Sequence, residues 1–323
     1  MADIRGSLAK AADQIMDFTV VPGFSAIGFK ARSRLSGWEE PEVAGRSVMV
    51  TGTTSGLGEA ASIDLARLGA DVHMVCRNRE KGEAVRAQIK AETGADTHLH
   101  ICDLSDLDSV RAFAAEFIAS GEKLDVLVNN AGVMPPERTK TRAGFEVTFA
   151  TNVLGTWLLT ELLLPVIRES ADGRVITMSS GGMYSSGFDF EDPQLENTDY
   201  KPTAFYAQTK RAEVMLTQAW AEREGDDGPY FLAMHPGWAV TAGMTAALPG
   251  FHRVLGPILR DSHEGADTAL WLAGAGRDEL ENGEFYCDRA VRTRYRMPGT
   301  RDTAEDRRRL LELCAELSDQ VPD

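Results

Sequence analysis

Tyr206 and Lys210 stand four residues apart inside FYAQTKRAEVML, the segment from Phe205 to Leu216. Residues at that spacing share one face of a helix. An ammonium beside a phenol favours the phenolate and draws its pKa, about 10 when unperturbed, toward neutrality. That is what a group needs if it is to give and take a proton near pH 7. The same spacing also describes an ordinary surface pair, so the surroundings must decide.

A second constellation lies upstream. VMVTGTTSGLGEAASIDLARLG sets Gly52, Gly56 and Gly58 between an apolar β-branched run and an amphipathic stretch. Glycines in that place let backbone amides approach a pyrophosphate, and the following helix offers unpaired N–H groups and the positive end of its dipole. Thr54, Ser55 and Leu57 fill the same turn and join the glycines as candidate cofactor contacts. Where NAD-selective sites carry an acid for the ribose hydroxyls, this chain has Arg77, with Arg79 and Lys81 close by. A guanidinium there suits a 2′-phosphate, so NADP(H) is expected in preference to NAD(H). The competing reading is a set of solvated charges at a helix start. Asp103 and Leu104 end a third apolar run, and Asn129, Ala131 and Gly132 of NNAG end a fourth. Carboxyl ends of parallel strands are where such sheets bind ligands.

These residues need elements to carry them. From Ser47 the chain alternates short apolar runs (SVMVTG, DVHMVCR, HLHICDL, LDVLVNNAG, RVITMSS, YFLAMHPG, GEFYC) with longer amphipathic segments at Leu57 to Leu68, Arg79 to Glu92, Asp106 to Ala119, Phe145 to Glu169 and Phe205 to Glu224. That alternation predicts βαβ units and an α/β fold: a doubly wound, Rossmann-type, seven-stranded parallel sheet with helices on both faces. Residues 1–44 read as an N-terminal extension, 45–290 as one catalytic domain, and 291–323 as a C-terminal extension in which Thr303 and Asp306 open an amphipathic helix. In the N-terminal extension, FTVVPGFSAIGF precedes Lys30, Arg32 and Arg34. Residues 18–34 therefore suit either packing on protein or peripheral contact with an anionic membrane.

Composition narrows the classes. With 323 residues and 43% hydrophobic content the chain can build one large core. A net charge of −15 argues against nucleic acid as a partner and leaves small molecules or proteins. Cys76, Cys102, Cys287 and Cys314 have neither disulfide-framework nor zinc spacing, which fits a reducing cytoplasm. No secretory signal is evident, and no run reaches the ~18 apolar residues of a membrane span. His98 and His100 share a strand face and His252 and His263 flank a later segment, but without a nearby Cys or Glu pattern no metal role is assigned.

Taken together, TGTTSGLG, NNAG, Asn152, Ser179 with Ser180, Tyr206 with Lys210, and HPG resemble the short-chain dehydrogenase/reductases in order and spacing over residues 45 to 290. The Gly-x3-Gly-x-Gly spacing resembles the single-domain branch. SSGGM, YAQTKR, MHPGWA and GADTALWLA resemble its retinol-dehydrogenase-like members, and among them the orphan family-member-12 group. The resemblance implies that Tyr206 is the acid/base and that Lys210 lowers its pKa and holds the nicotinamide ribose. It further implies that Ser180 bonds the substrate oxygen and that Asn152 anchors a water in a proton relay. Pro236, Gly237, Val240 and Thr241 match the cofactor-contacting turn, and pairing through the long helices that carry Asn152 and Tyr206 is implied as a homo-oligomer. Tyr206 follows Ser180 by 26 positions, which exceeds the family's shorter spacing and enlarges the active-site wall.

Trp238, Met244, Leu248 and Phe251, with Met183 and Phe188, read as lining for a lipophilic alcohol or carbonyl, or else as packing for a lid. The expected function is NADP(H)-dependent oxidoreduction of such a substrate. The alternative is an NADP(H)-binding sensor or scaffold with little turnover.

Overall fold

The computed structural model describes residues 13, 16, 17, 19 to 240, 253 and 255 to 319. Thr241, Met244, Leu248, Phe251 and His252 lie outside the described residues, as does Phe18 of the N-terminal extension.

Strands β1 (Ser47–Thr51), β2 (Asp71–Cys76), β3 (His98–Ile101), β4 (Val126–Asn129), β5 (Arg174–Met178), β6 (Tyr230–Met234), β7 (Phe285–Cys287) and β8 (Ala290–Val291) form one sheet in the order β3-β2-β1-β4-β5-β6-β7-β8. All neighbours are parallel except the last pair. The sheet thus has eight strands, not the seven expected. The extra one returns through Asp288 and Arg289, both at φ +54. Such a turn usually announces itself by Gly or Asn, and here the chain has neither. Salt bridges hold it instead, Asp288 to Arg260 and Arg289 to Asp267.

β1 is flanked by β2 on one side and β4 on the other, so the chain winds outward in both directions from this point. Crevices at such a switch are where doubly wound sheets take their ligands. Every residue of β1, β4 and β5 is buried. Their β-branched, apolar composition suits a sheet covered on both faces. On one face lie α3 (Gly56–Arg67), α4 (Arg79–Thr93) and α8 (Ser262–Gly274), which pack Ile63, Leu65, Ile89 and Leu272 against Val48, Val50 and Val72. On the other lie α5 (Leu107–Ser120), α6 (Val147–Ile167) and α7 (Pro202–Glu224), which bring Phe113, Leu159 and Trp220 over Met49, Leu127 and Phe231. Side chains of this size, fully buried, contribute roughly 1.5–3 kcal/mol each. Helix α6 has the length and mean hydropathy (1.4) of a membrane span, contrary to the sequence reading, but 78% of that window is buried inside the protein. Its apolar residues are therefore explained by the core.

Two terminal segments bear on the site. Short α1 (Val20–Phe24) and α2 (Ala26–Ser36) lay Phe24 edge-on against His235 and Trp238, and the Phe24 carbonyl accepts a bond from Trp238 N at 2.7 Å. Phe24, Ser25, Ala26 and Arg32 are buried, while Val21, Ile27 and Leu35 are exposed. At the other end, α9 (Ala304–Asp319) opens with Thr303 and Asp306 bonding each other reciprocally and buries Leu310 and Cys314 completely in the cluster built by α6 and α7. The C-terminal helix thus covers part of the face formed by the two long helices through which pairing was expected.

Candidate active site

At the carboxyl ends of β1, β4, β5 and β6 the structure encloses a cavity of about 560 Å3. Its nucleotide end is built by the turn after β1. Gly52 and Gly56 adopt φ of +75° and +62°, where other residues are strained. A Cβ on Gly52 would come 2.9 Å from Ala131 Cα. Ser55 caps α3 by position, yet its side chain bonds none of the first-turn N–H groups. Those donors and the helix dipole face the cavity wall, an arrangement that fits a pyrophosphate. Thr54, Ser55, Gly56, Leu57 and Gly52 all line the space. Gly58 does not: it is buried, and a Cβ there would collide with the Asn130 amide and the Gly52 carbonyl, so its part is close packing.

Asn129 calls for a correction. Its side chain is buried and donates to Thr160 Oγ1 at 2.9 Å, away from the cavity. Asn130 stands at the rim instead, its Nδ2 donating to the Thr51 carbonyl at 2.6 Å, which clasps the glycine turn to β4. Nothing in the doublet NN distinguished the two. Ala131 and Gly132 line the cavity as expected. So do Asp103 and Leu104; Asp103 Oδ1 accepts from Ser105 N and Oγ. Arg77 is exposed at this end and makes no hydrogen bond or ion pair among the described residues. Arg79 and Lys81 do not reach the lining.

The opposite end gathers the polar set. Tyr206 and Lys210 both lie on α7 and point into the cavity, Lys210 Nζ 5.4 Å from the Tyr206 ring centre. Ser180 caps the 3-10 turn Gly181–Ser185 after β5 and shares a hydrogen bond with the phenol. Asn152 sits in a π-helical turn, Ala150–Gly155, within α6. There it is fully buried: Oδ1 accepts from Val133 N at 2.8 Å, and Nδ2 donates to Thr209 Oγ1 at 3.0 Å. It ties the loop after β4 to α7, one residue from Lys210, but does not itself line the cavity.

One residue was missed in the sequence. Glu213, one turn beyond Lys210, is buried and takes Lys210 Nζ at 2.7 Å, while the Met178 carbonyl accepts from the same ammonium at 3.0 Å. Its second oxygen has no partner among the described residues. Burial pushes the Glu213 carboxyl up to about 7 against the pull of Lys210. For Lys210, burial acts downward, but the charges of Glu213 and Tyr206 outweigh it and hold the pKa above the ordinary value. The phenol differs from the sequence expectation. Burial raises the Tyr206 pKa, Lys210 pulls it down, and Glu213 pushes it back up, so the net direction is upward. The lysine acts in the anticipated sense, but the carboxylate beside it cancels part of its field.

The substrate end is lined by Val133, Met134, Ser185, Thr203 and Trp238. Met183 is buried in a separate cluster and Phe188 packs edge-on against Phe190, so neither is the lining it was expected to be. Tyr184 turns its hydroxyl to the Thr293 carbonyl at 2.7 Å, away from the site. The long insertion before Tyr206 is held as a wall by Arg138, which donates to the Leu195 and Thr198 carbonyls at 2.7 Å, and by Tyr200, which donates to the Pro135 carbonyl. His235 forms the floor: its Nδ1 accepts from Gly181 N, and burial holds its pKa down at about 3. Pro236 and Gly237, at φ +72°, complete the rim. Val240 lies outside the lining, its N–H bonded to the Arg260 carbonyl.

A family model described as short chain dehydrogenase matches residues 46–249. Dehydrogenase/reductase SDR family member 12 of Bos taurus is 42% identical over 282 residues, 86% of this chain and 88% of that protein. Retinol dehydrogenase 13 of Homo sapiens is 39% identical over 254 residues, 76% of each. Among solved structures, a putative NAD(P) dependent gluconate 5-dehydrogenase from Beutenbergia cavernae, with NADP bound at low occupancy, superposes with a TM-score of 0.63 at 26% identity, over 76% of this chain and 95% of that one.

Proposed function

This chain belongs to the short-chain dehydrogenase family, as an NAD(P)-dependent oxidoreductase, and from that premise we propose that it interconverts a lipophilic alcohol and its carbonyl with NADP(H). The observation that carries the reading is the convergence of Ser180, Tyr206 and Lys210 at one end of the cavity whose other end is the glycine turn. The nicotinamide, when bound, supplies or accepts the hydride.

The chain's own residues handle the oxygen and its proton. In reduction the Tyr206 hydroxyl donates to the carbonyl oxygen as charge develops there, and in oxidation the phenolate takes the alcohol proton. Ser180 donates to the same oxygen and stabilises the developing charge. Lys210 holds a positive charge beneath the phenol and is positioned by the Met178 carbonyl. Asn152 fixes the loop after β4 against α7, on the side from which a relay water would reach Lys210. Val133, Met134 and Trp238 offer apolar surface at the substrate end, which, with the retinol dehydrogenase likeness, supports a lipophilic substrate.

NADP(H) preference rests on Arg77. An uncommitted guanidinium at the nucleotide end is suited to a bidentate grip on a 2′-phosphate. Fluorescence titration is expected to give tighter binding of NADPH than of NADH. Arg77→Ala should weaken NADPH about 10- to 100-fold, in keeping with 1.5–3 kcal/mol for a charged hydrogen bond, and leave NADH nearly unchanged. Equal losses for both cofactors would remove the preference. Screening aldehydes and ketones for oxidation of NADPH tests the chemistry in the same cuvette; binding without turnover of any carbonyl would favour a nucleotide sensor.

We assign Glu213 a positioning role through Lys210. Its negative charge raises the Tyr206 pKa, so Glu213→Gln should lower it. Alcohol oxidation needs the phenolate, and its rate therefore rises with pH through that pKa. The rising limb of the kcat/KM profile should shift to lower pH in Glu213→Gln. A limb that stays in place, whatever happens to stability, would leave Glu213 a packing residue only.

The N-terminal extension packs Phe24 and Arg32 into the protein's own body and leaves Val21, Ile27 and Leu35 exposed, an apolar set suited to peripheral contact with a membrane. Four buried free cysteines fit a cytoplasmic location.

A further inference from the structure

At the edge of the sheet, three histidines and two carboxylates meet around the amino-terminal half of β2 and the start of β3. His73 on β2 is opposite His98 on β3, and His100 lies two residues further along the same face. Glu122 follows the end of α5, whose Phe113 and Phe117 rings pack against the imidazoles. His73 is 1% exposed. Its Nδ1 is 3.0 Å from His100 Nε2 and 3.4 Å from Glu122 Oε2. That Glu122 oxygen is buried and has no hydrogen-bond partner among the described residues.

Hydrogen bonding alone does not satisfy this triad. If His73 Nδ1 accepts from His100, its lone pair is used and Glu122 receives nothing. If it carries the proton, that single N–H can serve either His100 or Glu122 and leaves the other without it. A cation satisfies all three at once. Donors about 2.0–2.1 Å from a tetrahedral zinc stand about 3.3 Å apart, close to the spacings observed.

We propose that His73, His100 and Glu122 bind one divalent transition-metal ion of the zinc class, which clips the outer strand β3 and the turn after α5 to β2. Two imidazoles and one carboxylate favour zinc, cobalt or nickel over magnesium or calcium, and a water completes the coordination. Asp71 stands behind the set: its Oδ1 bonds His98 Nε2 at 2.9 Å, and its Oδ2 lies 3.9 Å from His73 Nε2. At that distance Asp71 makes no hydrogen bond to His73, but its negative charge favours a proton on the far nitrogen, which leaves Nδ1 free to face the metal. The proposed role is structural and separate from the cavity, which lies at the carboxyl ends of the same strands.

The test uses full-length protein, stripped with chelator and dialysed against Zn2+, with bound metal counted by elemental analysis and Tm read by calorimetry. One equivalent should bind and raise Tm in the wild type. His100→Ala and Glu122→Gln should each weaken binding at least about tenfold and abolish the Tm rise. His263→Ala, a histidine paired with Asp64 elsewhere, should behave as wild type. Glu122→Gln keeps the size of a partly exposed side chain, so it decides the matter even if His100→Ala folds poorly. Absence of a stoichiometric ion in the wild type, or undiminished binding in Glu122→Gln, overturns the proposal.

Discussion

Tyr206→Phe is expected to lower kcat for carbonyl reduction by about 10²–10⁴-fold, the usual contribution of a positioned proton donor. The substitution keeps the ring that packs above Lys210 and removes only the hydroxyl that meets Ser180. NADPH affinity, read by fluorescence titration, should change far less than turnover, because the glycine turn and Arg77 lie at the other end of the cavity. Retained turnover would mean that another group supplies the proton. Tyr184 is poorly placed for that: its hydroxyl is committed to the Thr293 carbonyl, and burial raises its pKa to about 12.

The upward direction of the Tyr206 pKa bears on how this site works. A phenol that is neutral across the physiological range is ready to donate, which suits reduction. Oxidation requires the phenolate, and the forces available to lower its pKa are the Lys210 charge and the Ser180 hydrogen bond, with Glu213 opposing them. Because burial brings Glu213 to about 7, its charge changes near neutral pH. As pH falls and Glu213 takes up a proton, the field of Lys210 on the phenol is no longer offset. The pair therefore couples the catalytic tyrosine to a second titrating group one helical turn beyond its lysine.

Much of this arrangement was legible in the chain because its signals are local. The glycine turn, the strands it joins, and the Tyr206–Lys210 spacing each lie within one element, and short-range periodicity is what a sequence displays directly. Other features depend on residues distant in sequence. His73 and Glu122 reach His100 only through strand pairing and the return of α5, so the histidines on β3 read alone as ordinary strand residues. β8 was missed because its turn uses Asp288 and Arg289 at positive φ, held by salt bridges in place of glycine. The N-terminal extension showed an apolar run whose partner was undetermined. Its anchor, Asp288, lies more than 250 residues from Arg32.

That anchor is expected to be among the most sensitive points for stability. Asp288 is buried between two buried guanidiniums: its oxygens accept from Arg260 Nη1 at 2.6 Å and Nη2 at 2.9 Å, and from Arg32 through a short bond. The Gly23 carbonyl accepts from both arginines. Asp288→Ala removes the carboxylate the two arginines share: Arg32 keeps Asp13, 2.7 Å from its Nε, while Arg260 is left as an uncompensated cation in the interior. Breaking a buried pair in this way costs about 3–5 kcal/mol. Chemical denaturation should show a loss of that size, and Arg32→Met should cost less, because Asp288 then remains paired with Arg260. The ordering matters more than either value. If Arg32→Met were as damaging as Asp288→Ala, the fastening of α2 to the body would be the main source of stability. If Asp288→Ala is clearly worse, the carboxylate is the common counter-charge that joins the arm, the β7–β8 turn and the loop carrying Arg260. Those segments surround Phe24, Trp238 and His235, so the same substitution should also loosen the substrate end of the cavity.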